Sequence, residues 1–321
     1  MCQTTRKEFV LTDSKQRLID YFTAGLAPPS QPRSVGIEVE TQFVDRSGLP
    51  ISRDQSLEIL STMYRRWQKN DRQFQPSALH PTGHNLQYEL GRHNLELSLA
   101  PGTAATAVWE ARARLAELYE AAAASGCSPF FGPIIETGED LLAIPDDRDE
   151  TWLRLDTRPV LNLLASTSAV QFTVEVTLEE AIPMLNRLGA KIGELLHQYP
   201  QEVRWRQYIA RSPAGYRSDR YGGPLQFTSI EEYSARLLEH HIVDRSTGKL
   251  ISHEEAGQYE IPLFLRSVWW YFRLKRYNNR LCIEVRPLPR RFDELLDDQL
   301  KLVLNIMNDR DLSHGRITRF H

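Results

Sequence analysis

The sequence predicts an α+β fold, and three observations predict it. Segments with period-two alternation recur along the chain, helical segments with 3.6-residue periodicity interrupt them irregularly, and capping signatures open two of those helices. With 41% apolar and 25% charged residues, the 321-residue chain has ordinary globular usage and enough apolar surface for a large core. At about 150 residues per domain, that length allows two domains or one large α+β domain.

The elements follow in chain order. Residues 14–22 read as a short helix, and 24–33, with Pro28, Pro29 and Pro32, as a linker to the main body. A helix is expected over 54–68. A longer alanine-rich one is expected over 103–125, where Val108, Ala111, Leu115, Leu118 and Ala122 share a face and Gly126 supplies the stop. Thr177 stands three before Glu180, a capping box that opens a helix with Ile182, Leu185, Leu188, Ile192 and Leu195 as its stripe. Pro183 should distort its first turns. Ser229 and Glu232 repeat the capping logic, and a last helix is expected over 292–308 with Leu295, Leu296, Gln299, Val303 and Ile306 inward. These helices are scaffold.

Several function classes drop out early. Lysine and arginine number 39 against 42 acidic residues, a net charge of −3, so there is no electrostatic footprint for nucleic acid. The most apolar stretch, 160–170, is broken by Asn162, Ser166, Thr167 and Ser168 and falls short of the ~20 residues a spanning helix needs. The first residues carry no apolar signal region. Cys2, Cys127 and Cys282 are too few and too scattered for a disulfide framework or a four-cysteine zinc site. A reducing cytoplasm is the expected location.

The informative segments are strands, where residues two apart point the same way. GIEVE puts Glu38 and Glu40 on one face, NLELSL puts Asn94, Glu96 and Ser98 on one, QFTVEV does so for Gln171, Thr173 and Glu175, and CIEVRP for Glu284 and Arg286. Glu89, in QYELG, adds a further carboxylate. Wet strand faces usually favour Thr, Lys and Arg, whereas these are rich in short acceptors. Carboxylates that converge on one cavity repel unless neutralised, and a hard divalent cation with oxygen ligands is the simplest neutraliser. Periodicity assigns the faces; it does not bring the strands together.

Other residues invite sharper readings that the pattern does not support. His80, His84 and His93 suggest zinc, but Pro81 and Gly83 break the helix such a pair would need. Gly222-Gly223 is a turn, because no Lys-Ser/Thr follows. Trp269 and Trp270 read as core and cleft wall, and Cys127 and Cys282 as buried fillers.

The order of the motifs resembles a known family. GIEVE, then ELGRHNLELSLAP, then the alanine-rich helix into SGCSPFF, then RPVLNLLASTSAVQFTVEV, ARSPAGYRSDRYGG with FTSIEEY, and VWWYFRLKRYNNRLCIEVRPLP resemble the type 2 glutamate–cysteine ligase (carboxylate–amine ligase) family. The resemblance runs over about residues 34–308. It implies a glutamine-synthetase-like fold: a curved antiparallel sheet whose concave face forms the active site, with helices on the convex face. The implied division is an N-terminal helix and Pro-rich linker at 1–33 and a single catalytic domain at 34–321.

The resemblance also implies a reaction: ATP phosphorylates a carboxylate, typically the γ-carboxylate of glutamate, and an amine displaces phosphate from the acyl phosphate. Magnesium, with manganese as a substitute, would neutralise the phosphate oxygens. By position in the motifs, Glu38, Glu40, Glu96, Glu89 and Glu284 match metal ligands, and Gln171 a polar neighbour of metal or phosphate. Arg286 matches a phosphate-contacting arginine; Arg273 and Arg220 match clamps on substrate or phosphate. The family's Gly-x-His-Pro-Phe stretch is Gly126-Cys127-Ser128-Pro129-Phe130 here, which leaves the amine acceptor open. The implied partners are an amino-acid carboxylate donor and an amine, with no nucleic acid and no membrane; an oligomer is compatible with the sequence. Two competing readings are a magnesium-dependent phosphohydrolase using the same carboxylates and a non-catalytic ligand-binding relative. The retained carboxylates and arginines argue against the second.

Overall fold

The computed structural model describes residues 2–68, 77–142 and 147–308. The strands in chain order are β1 (Val35–Val44), β2 (Ser77–Leu79), β3 (Asn85–Tyr88), β4 (Asn94–Ser98), β5 (Ser128–Phe130), β6 (Ala169–Glu175), β7 (Tyr221–Gly222), β8 (Ile242–Asp244), β9 (Lys249–Ile251), β10 (Trp269–Trp270), β11 (Phe272–Tyr277) and β12 (Arg280–Pro289). Eight of them form one sheet in the order β11-β12-β6-β1-β4-β3-β2, with β5 added beside β1. Every pairing in this sheet is antiparallel. Two small ribbons, β10 with β7 and β8 with β9, stand apart from it.

The register carries the alternation of the separate strands across the whole sheet. Glu38 lies opposite Ser98 on one side and Gln171 on the other, Glu40 opposite Glu96, and Gln87 opposite Glu96. Thr173 lies opposite Glu284, and Glu284 opposite Arg273. Directly paired residues share a face, so the polar faces become one continuous surface. The other face, with Ile37, Val39, Leu86, Leu97, Phe172, Val174, Leu274 and Ile283, is buried in the main core.

Helix Ala104–Ala124 packs against β1, helix Leu178–Ala190 against β11 and β12, and helix Leu296–Met307 touches both helices. Burying a leucine such as Leu115 or Leu188 stabilises by roughly 1.5–3 kcal/mol, which makes these stripes the fold's anchor. Thr103 caps the first helix by accepting from Thr106 N, and the Thr177–Glu180 box is complete in both directions. Pro183 sits inside its helix without ending it.

Some boundaries differ from the sequence reading. The N-terminal helix runs Cys2–Thr23, well beyond 14–22, since no Gly or Pro interrupts it before Gly25. Its Leu18 and Phe22 are fully buried in the common core. The apolar stretch at 160–170 divides into helix Arg158–Ala165, with Pro159 in its first turn, and the start of β6. The last helix opens with a 3₁₀ turn, Asp293–Leu295. Residues 309–321, the end of the expected catalytic domain, lie outside the described residues.

Candidate active site

The polar face floors a cavity of about 860 Å³, and its charges divide into two halves. On the β1, β3 and β4 side stand Glu38, Glu40, Glu89 and Glu96, all lining the cavity. Glu40 accepts from Ala169 N at 2.8 Å and from Gln171 Nε2 at 3.1 Å. Glu96 accepts from Gln87 Nε2 at 3.0 Å and Ser98 Oγ at 2.9 Å. These hydrogen bonds do not offset burial and mutual repulsion. Burial, then Glu89 and Glu96, push the Glu40 carboxyl well above the usual range. Burial, then Glu38 and Glu89, push Glu96 up to about 8.

On the β11 and β12 side the arrangement is closed. Glu284 is completely buried. Arg273 holds its Oε2 through Nε at 2.6 Å and through Nη2 at 2.5 Å. Arg286 Nη1 reaches the same oxygen at 3.2 Å, and Lys275 Nζ donates to Oε1. Although burial alone would raise the carboxyl, Arg273, Lys275 and Arg286 together hold it well below the usual range. Arg286, two residues beyond Glu284 in β12, shares its cavity face by the strand's alternation, and the register shifts at a β-bulge between Val285 and Leu288.

Gln171 joins the halves. Its amide nitrogen donates to Glu40 while its oxygen accepts from Arg286 Nη1 at 2.6 Å. Lys275 makes a second, looser link, with Nζ 3.7 Å from Glu38 Oε1.

Three of the expected site residues are engaged within the fold. Glu284, read as a metal ligand, has both oxygens taken by cations, because a carboxylate this deep needs neutralising from within the fold. Arg273, read as a substrate clamp, grips Glu284 and donates through Nη1 to the carbonyls of Leu265 and Val268. Arg220 lies outside the cavity lining. It donates to Ser267 O at 2.7 Å, His241 O at 2.9 Å and Ser267 Oγ at 2.9 Å, and its guanidinium lies over Tyr216 and Trp269. It braces the cavity wall from behind.

That wall is aromatic, with Tyr199, Trp205, Tyr221, Trp269 and Tyr271 among its members. Trp205 and Tyr221 stack at 5.0 Å, and Glu202 Oε2 accepts from Tyr221 Oη at 2.7 Å and from Tyr271 Oη. Sequence reasoning missed Lys275 and Tyr199. Lys275 was available, because FRLKRY read as a strand sets it on the Arg273 face. Tyr199 follows a short helix and carries no periodic signal. Cys127 and Cys282 are buried, the latter on the polar face opposite Glu175.

Whether the floor suits a divalent metal is a question of donors. Among the described residues, no three His, Cys, Asp or Glu side chains gather closely enough to enclose an ion. The acidic half nevertheless offers only hard oxygen donors whose charges oppose one another. That suits a cation such as magnesium, which takes one or two carboxylates and completes its shell with waters and phosphate oxygens. Among the described residues, no helix is long and apolar enough to cross a membrane.

No protein-family model matches the sequence, and no curated protein does. Solved structures do resemble the fold. The bifunctional glutathione synthetase from Pasteurella multocida matches with TM-score 0.51 at 11% identity, over 93% of this chain and 40% of that one. The glutamate–cysteine ligase of Francisella tularensis, solved with AMP, matches with TM-score 0.48 at 11% identity, over 87% of this chain and 66% of that one. The glutamine synthetase of Plasmodium falciparum gives TM-score 0.42 at 9% identity, over 95% of this chain and 55% of that one. This chain thus spans less than two thirds of each. Its fold resembles that of the bifunctional glutathione synthetase from Pasteurella multocida.

Proposed function

We propose that this chain is an ATP- and magnesium-dependent carboxylate–amine ligase, glutamate–cysteine ligase-like, with its catalytic domain at residues 34–321. In this reading ATP phosphorylates the γ-carboxylate of glutamate and an amine then takes the acyl group, releasing phosphate. The polar sheet face is the concave one and holds the reaction, the helices backing the other side. The observation that carries the proposal is the single cavity in which an acidic half and a cationic half meet at Gln171.

Magnesium or manganese, when bound, would neutralise phosphate oxygens, held by one or two carboxylates from among Glu38, Glu40, Glu89 and Glu96. Arg286 contacts the transferring phosphoryl group, and its fork is aimed by Gln171 and Glu284. Arg273 and Lys275 fix Glu284 and through it Arg286. Gln171 tethers Glu40, so the metal-holding and phosphoryl-holding groups keep one spacing. The aromatic wall limits water at the activated acyl group, which an amine must reach before hydrolysis does. Among the described residues no histidine lines this cavity, and an amide such as Gln171 cannot serve as a general base near neutral pH, so a histidine-activated water, the simplest route to the phosphohydrolase, has no source there.

The test is phosphate release measured together with mass spectrometry of the products, scanning carboxylate donors and amines in pairs. The expected result is little phosphate from the donor alone, and amide and phosphate in equal amounts once the right amine is added. Rapid phosphate release without amide across a broad amine panel would establish the hydrolase instead.

A further inference from the structure

A second cavity of about 300 Å³ lies beside the first, and three side chains, Trp152, Arg245 and Arg266, line both. Its walls carry apolar residues such as Ile242, Ile251, Leu263 and Phe264, together with the polar Asp244, Gln258 and Glu260. The two shared arginines differ from the others in the main cavity. Arg273 and Arg286 are committed to Glu284, and Arg276 donates to the carbonyls of Asn278 and Tyr21. Both Arg245 and Arg266 are exposed, and among the described residues their guanidinium groups have neither an ion-pair partner nor a hydrogen-bond acceptor within the protein.

Two uncommitted guanidinium groups at the mouth shared by the main cavity and a cavity with an apolar patch complement a molecule that carries a carboxylate next to an apolar group. A guanidinium prefers a carboxylate because the two planar groups match through paired N–H···O bonds. A volume of about 300 Å³ is at the small end for ligand sites, enough for an aliphatic or aromatic side chain and too small for a nucleoside with its phosphates. We infer, resting on the ligase reading, that the amine substrate is an α-amino acid with an apolar side chain. Its carboxylate meets Arg245 and Arg266, its side chain enters the second cavity, and its amine faces the main cavity. A nucleotide phosphate is the competing anion for the same two arginines, and the test separates the two.

The experiment is calorimetry on the full chain with L-leucine, L-leucinol, glycine and a non-hydrolysable ATP analogue with magnesium. It compares the unaltered protein with the double variant Arg245→Gln/Arg266→Gln. The expected result is leucine binding at least tenfold tighter than leucinol, which lacks the carboxylate, and tighter than glycine, which lacks the side chain. The double variant loses at least tenfold in leucine affinity and no longer separates leucine from leucinol, while the ATP analogue binds as before. Absence of leucine binding, equal binding of leucine and leucinol, or a loss of nucleotide affinity instead would overturn the inference. Because the readout is binding, its failure is distinct from failure of the ligase reading. Amide formed from an amine whose KM ignores the double variant removes this subsite alone. Phosphate release without amide, with leucine still held by the two arginines, removes the ligase alone.

Discussion

The two halves of the cavity floor are built from the same kinds of residue to opposite electrostatic ends. On β11 and β12, three cations surround one buried carboxylate, and Glu284 is held ionised by Arg273, Lys275 and Arg286. On β1, β3 and β4, carboxylates face one another, and burial with mutual repulsion pushes Glu40 and Glu96 upward. The cationic half is complete within the protein and serves as a rigid mount for Arg286. The acidic half gains from a cation supplied from outside. A glutamate on this sheet therefore means different things by strand, and identical substitutions should have opposite consequences.

The largest effect is expected at Glu284. Glu284→Gln leaves Arg273, Lys275 and Arg286 crowded around a neutral group, and breaking a buried pair in this way typically costs about 3–5 kcal/mol. Urea unfolding measures it, and a loss below about 1 kcal/mol would mean the cationic half is not the closed network described. Next comes Arg286→Lys, which keeps the charge and removes the fork. Turnover should fall at least about tenfold, equivalent to ~1.4 kcal/mol of transition-state stabilisation, with the fold intact by circular dichroism. Normal turnover would return Arg286 to a structural role.

Proton linkage separates the halves further. The folded value of Glu96, about 8, lies above its unfolded value, so between roughly pH 4.5 and 8 the folded state binds the extra proton. Its contribution to stability is therefore lost as pH rises through the folded value. His93 and His240, lowered to about 3, and His253, lowered to about 4, act in the opposite sense at acid pH and are neutral in both states above pH 7. From pH 7 to 8.5 in EDTA, stability should fall by up to about 1.4 kcal/mol per pH unit for each proton released, and magnesium should flatten the slope. Chemical denaturation across that range checks it; a flat profile in EDTA would remove the repulsion. The smallest effect is expected for Glu96→Gln, which relieves repulsion and should leave the metal-free protein unchanged or up to about 1 kcal/mol more stable at pH 8. The same variant should bind magnesium more weakly by calorimetry, and clear destabilisation without metal would make Glu96 a structural residue.

Much of this floor was legible in the sequence, because period two assigns a face without reference to neighbours. GIEVE, NLEL, QFTVEV and CIEVR gave Glu38, Glu40, Glu96, Gln171, Glu284 and Arg286 their common surface, and the register then aligned it. The burial of Glu284 was not legible. It depends on β11 lying at one edge beside β12, so that Arg273 and Lys275 bracket a single carboxylate, and pairing order is a property of the whole chain. The orientation of Arg220 was not legible for a related reason: a motif position says nothing of whether a long side chain turns toward the cavity or, as here, toward Ser267 and His241 behind the wall. The helix at 201–211 and Tyr199 before it had neither a clear stripe nor a side-chain cap to reveal them.

The central claim is that a carboxylate is activated by phosphorylation and then captured by an amine, and oxygen tracing tests it most directly. In that sequence a carboxylate oxygen attacks the terminal phosphorus of ATP, ADP leaves, the amine attacks the acyl carbon, and phosphate departs with the former carboxylate oxygen. The measurement supplies glutamate with both γ-carboxylate oxygens as ¹⁸O, together with ATP, magnesium and the amine, and weighs the phosphate and the product. The account predicts one ¹⁸O in each phosphate and one retained in each amide. Phosphate that carries no ¹⁸O from the donor, with its new oxygen drawn from water, would contradict it.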